Sequence, residues 1–259
     1  MSDEFKRCPF CDEEIRVKAV ICKHCGQWMP GYSYESAIRD LVIQKQVTER
    51  KTIETVEVRT REEQLQIVLN WVASDRKISC KGFDLASQNL SQLDLSGIDL
   101  SESDLRDINL SGANLSGANL SRANLFNANL KGANLQRAKL GEVYGRDMLL
   151  DYADLSGASL LRADLRGAAL TGAILYRVDL EGTNLKGVTL QEADLRESYL
   201  KETNLDSAKM EKTNLKGALF IRANLTSADV LTLQLERART LEGTILPDGK
   251  VYGQGSNWL

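Results

Sequence analysis

The chain has 259 residues, 42% of them apolar and 27% charged, with a formal net charge of -3 and five cysteines. That length can hold more than one domain, and the near-neutral balance supplies neither a basic field for nucleic acid nor a strongly acidic one. There is no apolar run of eighteen residues, and residues 1–8 lack the apolar stretch of a secretory leader, so a cytoplasmic protein outside the membrane is expected.

The first chemistry in chain order is a pair of knuckles. Cys8-Pro9-Phe10-Cys11 is followed after ten residues by Cys22-Lys23-His24-Cys25-Gly26. Two CxxC pairs let four thiolates converge on one tetrahedral ion, and the spacer is long enough for a hairpin that returns the chain to it. Gly26 suits the turn after the second knuckle, and Lys6, Arg7 and Lys23 offset part of the negative charge of a four-thiolate site. The pattern resembles short bacterial zinc ribbons. The expectation is one structural zinc held by Cys8, Cys11, Cys22 and Cys25 within a domain at 1–30. Two disulfides, a redox CxxC, or His24 in place of one cysteine are the alternatives.

Residues 31–77 form a linker with helices. Ile38, Leu41 and Val42 stand at helical spacing, and 52–58 is rich in β-branched residues. Thr60 and Glu63 make a capping box ahead of Leu65, Val68, Leu69 and Val72, which predicts a helix at about 61–74 whose apolar face lids the Leu-rich segment beginning at 78.

From 78 to 238 the pattern changes. Leu recurs at every fifth position from Leu85 to Leu235, replaced only at Gly145, Met210, Phe220 and Val230. Two residues earlier sits a small or apolar residue such as Ala113, Ala128 or Ala163, with Asp or Asn commonly between. A period of five fits neither a helix nor a strand, because apolar residues would spiral around both. Short straight segments joined by turns do fit it: the Leu and the residue two before it point inward, and four sides close a coil of twenty residues. Roughly eight coils at about 4.8 Å would make a rod on the order of 38 Å long. Cys80 falls in the Leu register, with Ile78 two before it, and is expected as a buried, inert thiol at the first inward position. Burying one Leu contributes about 2 kcal/mol, whereas ordering five residues costs roughly 5 to 10 kcal/mol, so one unit cannot fold alone and only the stacked array is stable.

This A-(D/N)-L-x-x array resembles the pentapeptide-repeat family, and the resemblance implies a right-handed quadrilateral β-helix. Two interruptions stand out. At 141–152, where Gly145 replaces Leu, either the coil continues with a local bulge or a ten-residue loop is thrown out. After Leu235 the register lapses, so a short helix within 231–238 is expected to cover the last coil. Residues 239–259, with the Pro247-Asp248-Gly249 turn signal, are expected as a C-terminal cap and loose tail.

With twenty residues per coil, outward positions twenty apart stack into columns. Glu102, Arg122, Glu142, Arg162, Gly182, Glu202 and Arg222 alternate in sign around one glycine and read as a solvated ladder. Arg106, Phe126, Arg146, Arg166 and Lys186 carry like charges and an aromatic, a repulsion that a partner, or the nearby Asp104, Asp107, Asp147 and Asp164, must relieve. This column is the candidate partner-binding surface. With one histidine, no phosphate-cradling glycine loop and no GxSxG, the usual catalytic groups are missing, and paired carboxylates arise from repetition alone. The expected function is therefore a non-catalytic interaction or scaffold protein that meets a protein partner through the rod, with the zinc ribbon as a second contact module. The alternatives are a topoisomerase-binding regulator of the DNA-mimic type, which is the behaviour of some members of the resembled family, and nucleic-acid contact through the ribbon. From residue 81 onward 20 basic residues face 23 acidic ones, too few for a DNA mimic, and residues 1–80 balance at 13 and 13.

Overall fold

The computed structural model describes residues 5–7, 14–16, 60–73 and 78–253. The chain divides into two units, 1–58 and 59–259. In the first, β1 (Phe5–Arg7) pairs antiparallel with β2 (Glu14–Arg16), Lys6 facing Ile15. Cys8, Cys11, Cys22 and Cys25, the zinc expected on them, His24, the helical spacing at 38–42 and the β-branched stretch 52–58 lie outside the described residues.

The second unit is a β-helix of four-sided coils. Each side contributes one residue to a parallel ladder with the residue twenty positions on: Asp84, Asp104, Asn124, Tyr144, Asp164, Asn184, Asn204 and Asn224 along one side, and Asn89 to Asp229, Asp94 to Asn214 and Asp99 to Leu219 along the others. Coils are joined in both directions, as where Leu115 N donates to Asn134 O at 2.7 Å and Asn134 N donates to Ala113 O at 2.9 Å. The corner between sides is a tight turn: Ala118 N donates to Leu115 O at 3.0 Å, and Gly117 takes φ 66°, the positive value a type II turn requires at that place. Arg122, Glu142 and Arg162 hold the same left-handed conformation at other corners, so glycine is favoured there without being demanded.

Inward and outward positions fall as the five-residue period predicts. The Leu column is fully buried from Leu85 through Leu225, as are the alanines two before it. Where Thr takes the small slot, its hydroxyl donates to a carbonyl of the preceding coil, Thr183 to Leu160 O at 2.7 Å and Thr203 to Leu180 O at 2.8 Å, so the buried oxygen is satisfied. A few Asp and Asn, such as Asp107, Asn127 and Asp147, stand at corners, while most occupy the middle of each side, on the ladder residue itself. From there Asn114 Oδ1 accepts from Ser116 N at 3.2 Å and from Asn134 Nδ2 at 3.1 Å, while its own Nδ2 donates to Asp94 Oδ1 at 2.8 Å. One amide thereby pins the next corner and both neighbouring coils.

The interruption at 141–152 is neither a bulge nor an extruded loop. Tyr144 pairs with Asn124 and Asp164, and Leu149 with Asn129 and Ala169, at the unchanged spacing of twenty. The volume vacated at Gly145 is filled from its neighbours: a Cβ placed there would lie 2.7 Å from Leu165 Cδ2 and 3.3 Å from Met148 Cε.

Both ends depart from the expected detail. α1 (Arg61–Ala73) begins at the Thr60/Glu63 capping box, with Thr60 N donating to Glu63 Oε2 at 2.8 Å and Glu63 N to Thr60 Oγ1 at 3.2 Å. It buries Val68 in the core and packs Leu65 and Ile67 against it, while Leu69 is exposed. Gln64 Oε1 accepts the Asp84 N–H at 2.6 Å and Arg61 bonds Asp84 at 2.5 Å, contacts that rotate the packed face away from Leu69. Ile78 is exposed, so the inward series begins at Cys80, which is fully buried.

At the other end α2 (Thr232–Leu235) buries Leu235 but exposes Leu231 and Leu233. The Gln234 amide donates to Met210 O and Thr213 O, both at 2.9 Å, in place of a ladder residue. The coil then resumes one residue later, with Thr240 against Leu219 and Ile245 against Asn224, and Leu246 is buried. Among the described residues the rod thus runs past 238, and Ile245 pairs antiparallel with Val251 at the start of the expected tail. Among the described residues no helix is long and apolar enough to cross a membrane.

Candidate functional site

The side that runs through Asn124, Tyr144 and Asp164 turns into a corner whose first residues are Arg106, Phe126, Arg146, Arg166 and Lys186, so the candidate column stands beside a ladder that can supply carboxylates. It does so in a repeating way. Arg106 donates from Nε and Nη2 to Asp104 at 2.8 and 2.6 Å, and Arg166 to Asp164 at 2.7 and 2.6 Å. Arg196 on another corner grips Asp194 in the same manner at 2.8 and 2.7 Å. The rule is local: an Arg that opens a corner takes the Asp two residues before it. Lys186 instead reaches along the column to Asp206 at 2.8 Å.

Arg146 breaks the rule because the residue two before it is Tyr144. Among the described residues it makes no ion pair, although it lies near enough to Asp164 to favour that carboxylate's charged form. The hydrogen bonds from Arg106 and Arg166 hold the Asp104 and Asp164 carboxyls below the usual carboxylate range, against a partial burial that pushes the other way. The Lys186 hydrogen bond lowers Asp206 similarly. The like-charge repulsion expected along this column is therefore largely relieved within the molecule, by Asp104, Asp164 and Asp206, and what remains is concentrated at Arg146.

Beside that cation is an open groove of about 270 Å³, lined by Arg106, Asn124, Phe126, Tyr144, Arg146 and Asp164. Phe126 is 43% exposed and Tyr144 63% exposed, so two aromatic faces meet water in a rod whose other apolar side chains are mostly inside. The structure thus brings together Arg106, Phe126 and Arg146 of the predicted column and leaves Arg166 and Lys186 beyond the groove, engaged elsewhere. Tyr144 is the residue that the column reading missed. The signal was present two positions before Arg146, where an aromatic stands in a slot otherwise filled by Asp or Asn in the preceding coils of that side.

At several other corners the charges are paired. The predicted charge ladder forms in part, with Arg122 Nε to Glu142 at 3.0 Å and Arg222 to Glu202 at 3.3 Å. Glu102, however, pairs with Lys81 at 3.1 Å, and Arg162 lies over Gly182 with Cγ 3.3 Å from where a Cβ would stand. A second depression of about 400 Å³ along this ladder has its charges paired. At Tyr176 the ring lies 5.0 Å from the Arg177 guanidinium and 5.6 Å from that of Arg196, while its hydroxyl donates to Glu197 at 3.3 Å. That aromatic is already occupied by its neighbours.

Several solved structures are similar to this chain. HetL, a pentapeptide repeat protein involved in heterocyst differentiation regulation from the cyanobacterium Nostoc, is 28% identical over 72% of this chain and 98% of its own, with a TM-score of 0.27. The plasmid-mediated fluoroquinolone resistance protein QnrB1 is 21% identical over 65% of this chain and 91% of its own, with a TM-score of 0.42. A pentapeptide repeat protein from the Arabidopsis thaliana thylakoid lumen is 32% identical over 43% of this chain and 70% of its own, with a TM-score of 0.23. No curated protein matches the chain. The family model for pentapeptide repeats matches in eight copies over residues 103–141, 149–187, 183–220 and 198–239, about half of the chain. With the twenty-residue ladder that runs beneath those matches as far as Asp229, the chain belongs to the pentapeptide-repeat family.

Proposed function

We propose that this protein is a non-catalytic scaffold whose rigid β-helix presents the Arg106, Phe126 and Arg146 corner to a protein partner. The observation that carries this reading is a coincidence of departures from the repeat. Tyr144, Gly145 and Arg146 fall in the short stretch, 142–148, that separates two matched blocks of repeats, and the exposed groove lies against them. The fold does not need an aromatic on the ladder, because Asn serves at Asn124, Asn184 and Asn204. α1 serves as a lid on the first coil, its Gln64 and Arg61 engaging Asp84 at an end that would otherwise offer open backbone to another chain.

The four-cysteine segment is the proposed second contact module, held by one zinc through Cys8, Cys11, Cys22 and Cys25. Support comes from the donor set and from β1 and β2, which pair on either side of the first knuckle in sequence. Thiolate ligation would make folding of that segment depend on metal. The reduced full-length chain should carry one zinc by metal analysis and lose it in the Cys22→Ser, Cys25→Ser variant. A zinc-free wild-type protein would remove the module from the proposal.

Affinity capture tests the scaffold reading. The intact chain should retain a protein partner, and the Arg146→Glu, Arg166→Glu variant should release it with the circular dichroism of the rod unchanged. If the intact chain captures nothing above background, the scaffold role is wrong. A regulator of a DNA enzyme is the second reading, and the 20 to 23 charge balance from residue 81 onward argues against a DNA imitation.

A further inference from the structure

We infer that the groove at Phe126 and Tyr144 is a docking site for an extended acidic peptide segment, one carboxylate of which pairs with Arg146 while the neighbouring apolar side chain covers the two aromatics. This rests on the scaffold reading and names the chemistry of its partner. Three observations carry it.

The first is charge. The lining holds two guanidiniums and one carboxylate, and Arg166 already engages that carboxylate, Asp164, at 2.6 Å. Arg106 is likewise engaged with Asp104 at 2.6 Å. Arg146 alone in the groove keeps its donors uncommitted among the described residues, on a chain whose overall charge is -3. A guanidinium presents a planar fork that matches a carboxylate; Tyr144 occupies the slot that Asp104 and Asp164 fill for Arg106 and Arg166, and the nearby Asp164 is bonded by Arg166.

The second is size. At about 270 Å³ and open to solvent, the groove falls below the roughly 300 to 1,000 Å³ of a typical small-molecule site. A groove of that size suits a side chain of a bound peptide better than a whole small molecule.

The third is the apolar floor. Phe126 and Tyr144 are outward-facing positions in adjacent coils, twenty residues apart less two, and neither is shielded by an internal cation as Tyr176 is. Covering them removes exposed aromatic surface, the term that most often dominates a hot spot, while the rim charge fixes orientation.

The probe is a display library of short random peptides selected on the intact full-length protein, with enriched peptides measured by fluorescence polarisation at low and high salt. Enriched sequences should place Asp or Glu beside an apolar residue. Their affinity should fall about tenfold or more on Arg146→Ala and on Tyr144→Ser, weaken with salt, and stay unchanged on Arg162→Ala, an exposed Arg at another corner. Thermal midpoints of all three variants establish that the rod is intact.

Enrichment of peptides without a carboxylate, equal affinity for the groove variants, or no enrichment over the Arg146→Glu protein would each overturn the inference. So would a concentration-dependent dimer that Arg146→Glu dissolves, which would give the groove to a second copy of the chain. A partner captured by the intact chain and still held by Arg146→Glu would leave the scaffold reading standing and sink this one.

Discussion

The side of the rod that carries Asn184, Asn204 and Asn224 and the same side two coils earlier, at Tyr144, have the same backbone and different surfaces. In the later coils the amides form a ladder, Asn204 Nδ2 to Asn184 Oδ1 and Asn224 Nδ2 to Asn204 Oδ1, both at 3.3 Å. At Tyr144 the amide ladder is absent, yet the parallel pairing with Asn124 and Asp164 is unbroken. Stacking is therefore set by the buried Leu and by backbone hydrogen bonds, and the outward ladder residue adds to stability without being required. That leaves outward positions free to carry function, whereas inward positions are constrained by volume.

The largest test of this division is a charge placed inside. Leu165 is fully buried, and Leu165→Asp strands a carboxylate without a partner. It should cost more than about 3 kcal/mol and lower the Tm on the order of 10 °C in a thermal melt. A shift no larger than that of a surface variant would dissolve the distinction between inside and outside.

A sharper test restores the repeat where it fails. By pattern alone Gly145→Leu should stabilise the rod, since Leu belongs at that position. The structure expects the opposite, because Leu165 Cδ2 and Met148 already occupy the space, and overpacking costs about 1 to 3 kcal/mol. Adding Met148→Ala should recover much of that loss, which denaturant unfolding of the single and double variants would reveal.

Next in size is the ladder itself. Asn114 links Asp94, Asn134 and the Ser116 N–H. Asn114→Ala should cost about 1 kcal/mol by the same measurement, whereas Tyr144→Ser, which removes no amide ladder, should leave unfolding nearly unchanged.

The smallest effects concern exposed charge. Arg122→Ala removes the pair with Glu142 and should give no measurable Tm change. Acid titration should be similarly quiet above about pH 4. Asp104 and Asp164 have carboxyls lowered in the folded protein by Arg106 and Arg166, so what they contribute is fully present above the unfolded value of about 3.9 and is lost as pH falls through the lower folded value. Asp104→Asn should flatten the acid limb of a Tm against pH curve slightly. A large loss of stability between pH 7 and 5 would point to other groups.

What the sequence determined by itself was the coil. A Leu every five residues with a small residue two before it has one economical solution, because only a side of five residues buries both in every unit, and the resulting interior repeats whatever stands outside. The Thr60/Glu63 cap was legible for the same reason, being a contact between near neighbours in the chain. The tertiary structure alone decided matters in which several partners compete. Arg106 and Arg166 turned to the Asp two residues before them, Lys186 to the coil beyond, and Arg146, with Tyr144 before it, to neither. α1 buried Val68, packed a half-buried Ile67 against the core and exposed Leu69 because Gln64 and Arg61 fixed its rotation at Asp84. The rod resumed after α2 one residue out of register, with the Gln234 amide taking Thr213 O, the carbonyl that a ladder N–H would have taken. Periodicity reports which side of the chain is buried, since burial acts on every unit alike; it does not report which of several nearby charges or amides a side chain will choose, since that depends on distances set only when the coils are stacked.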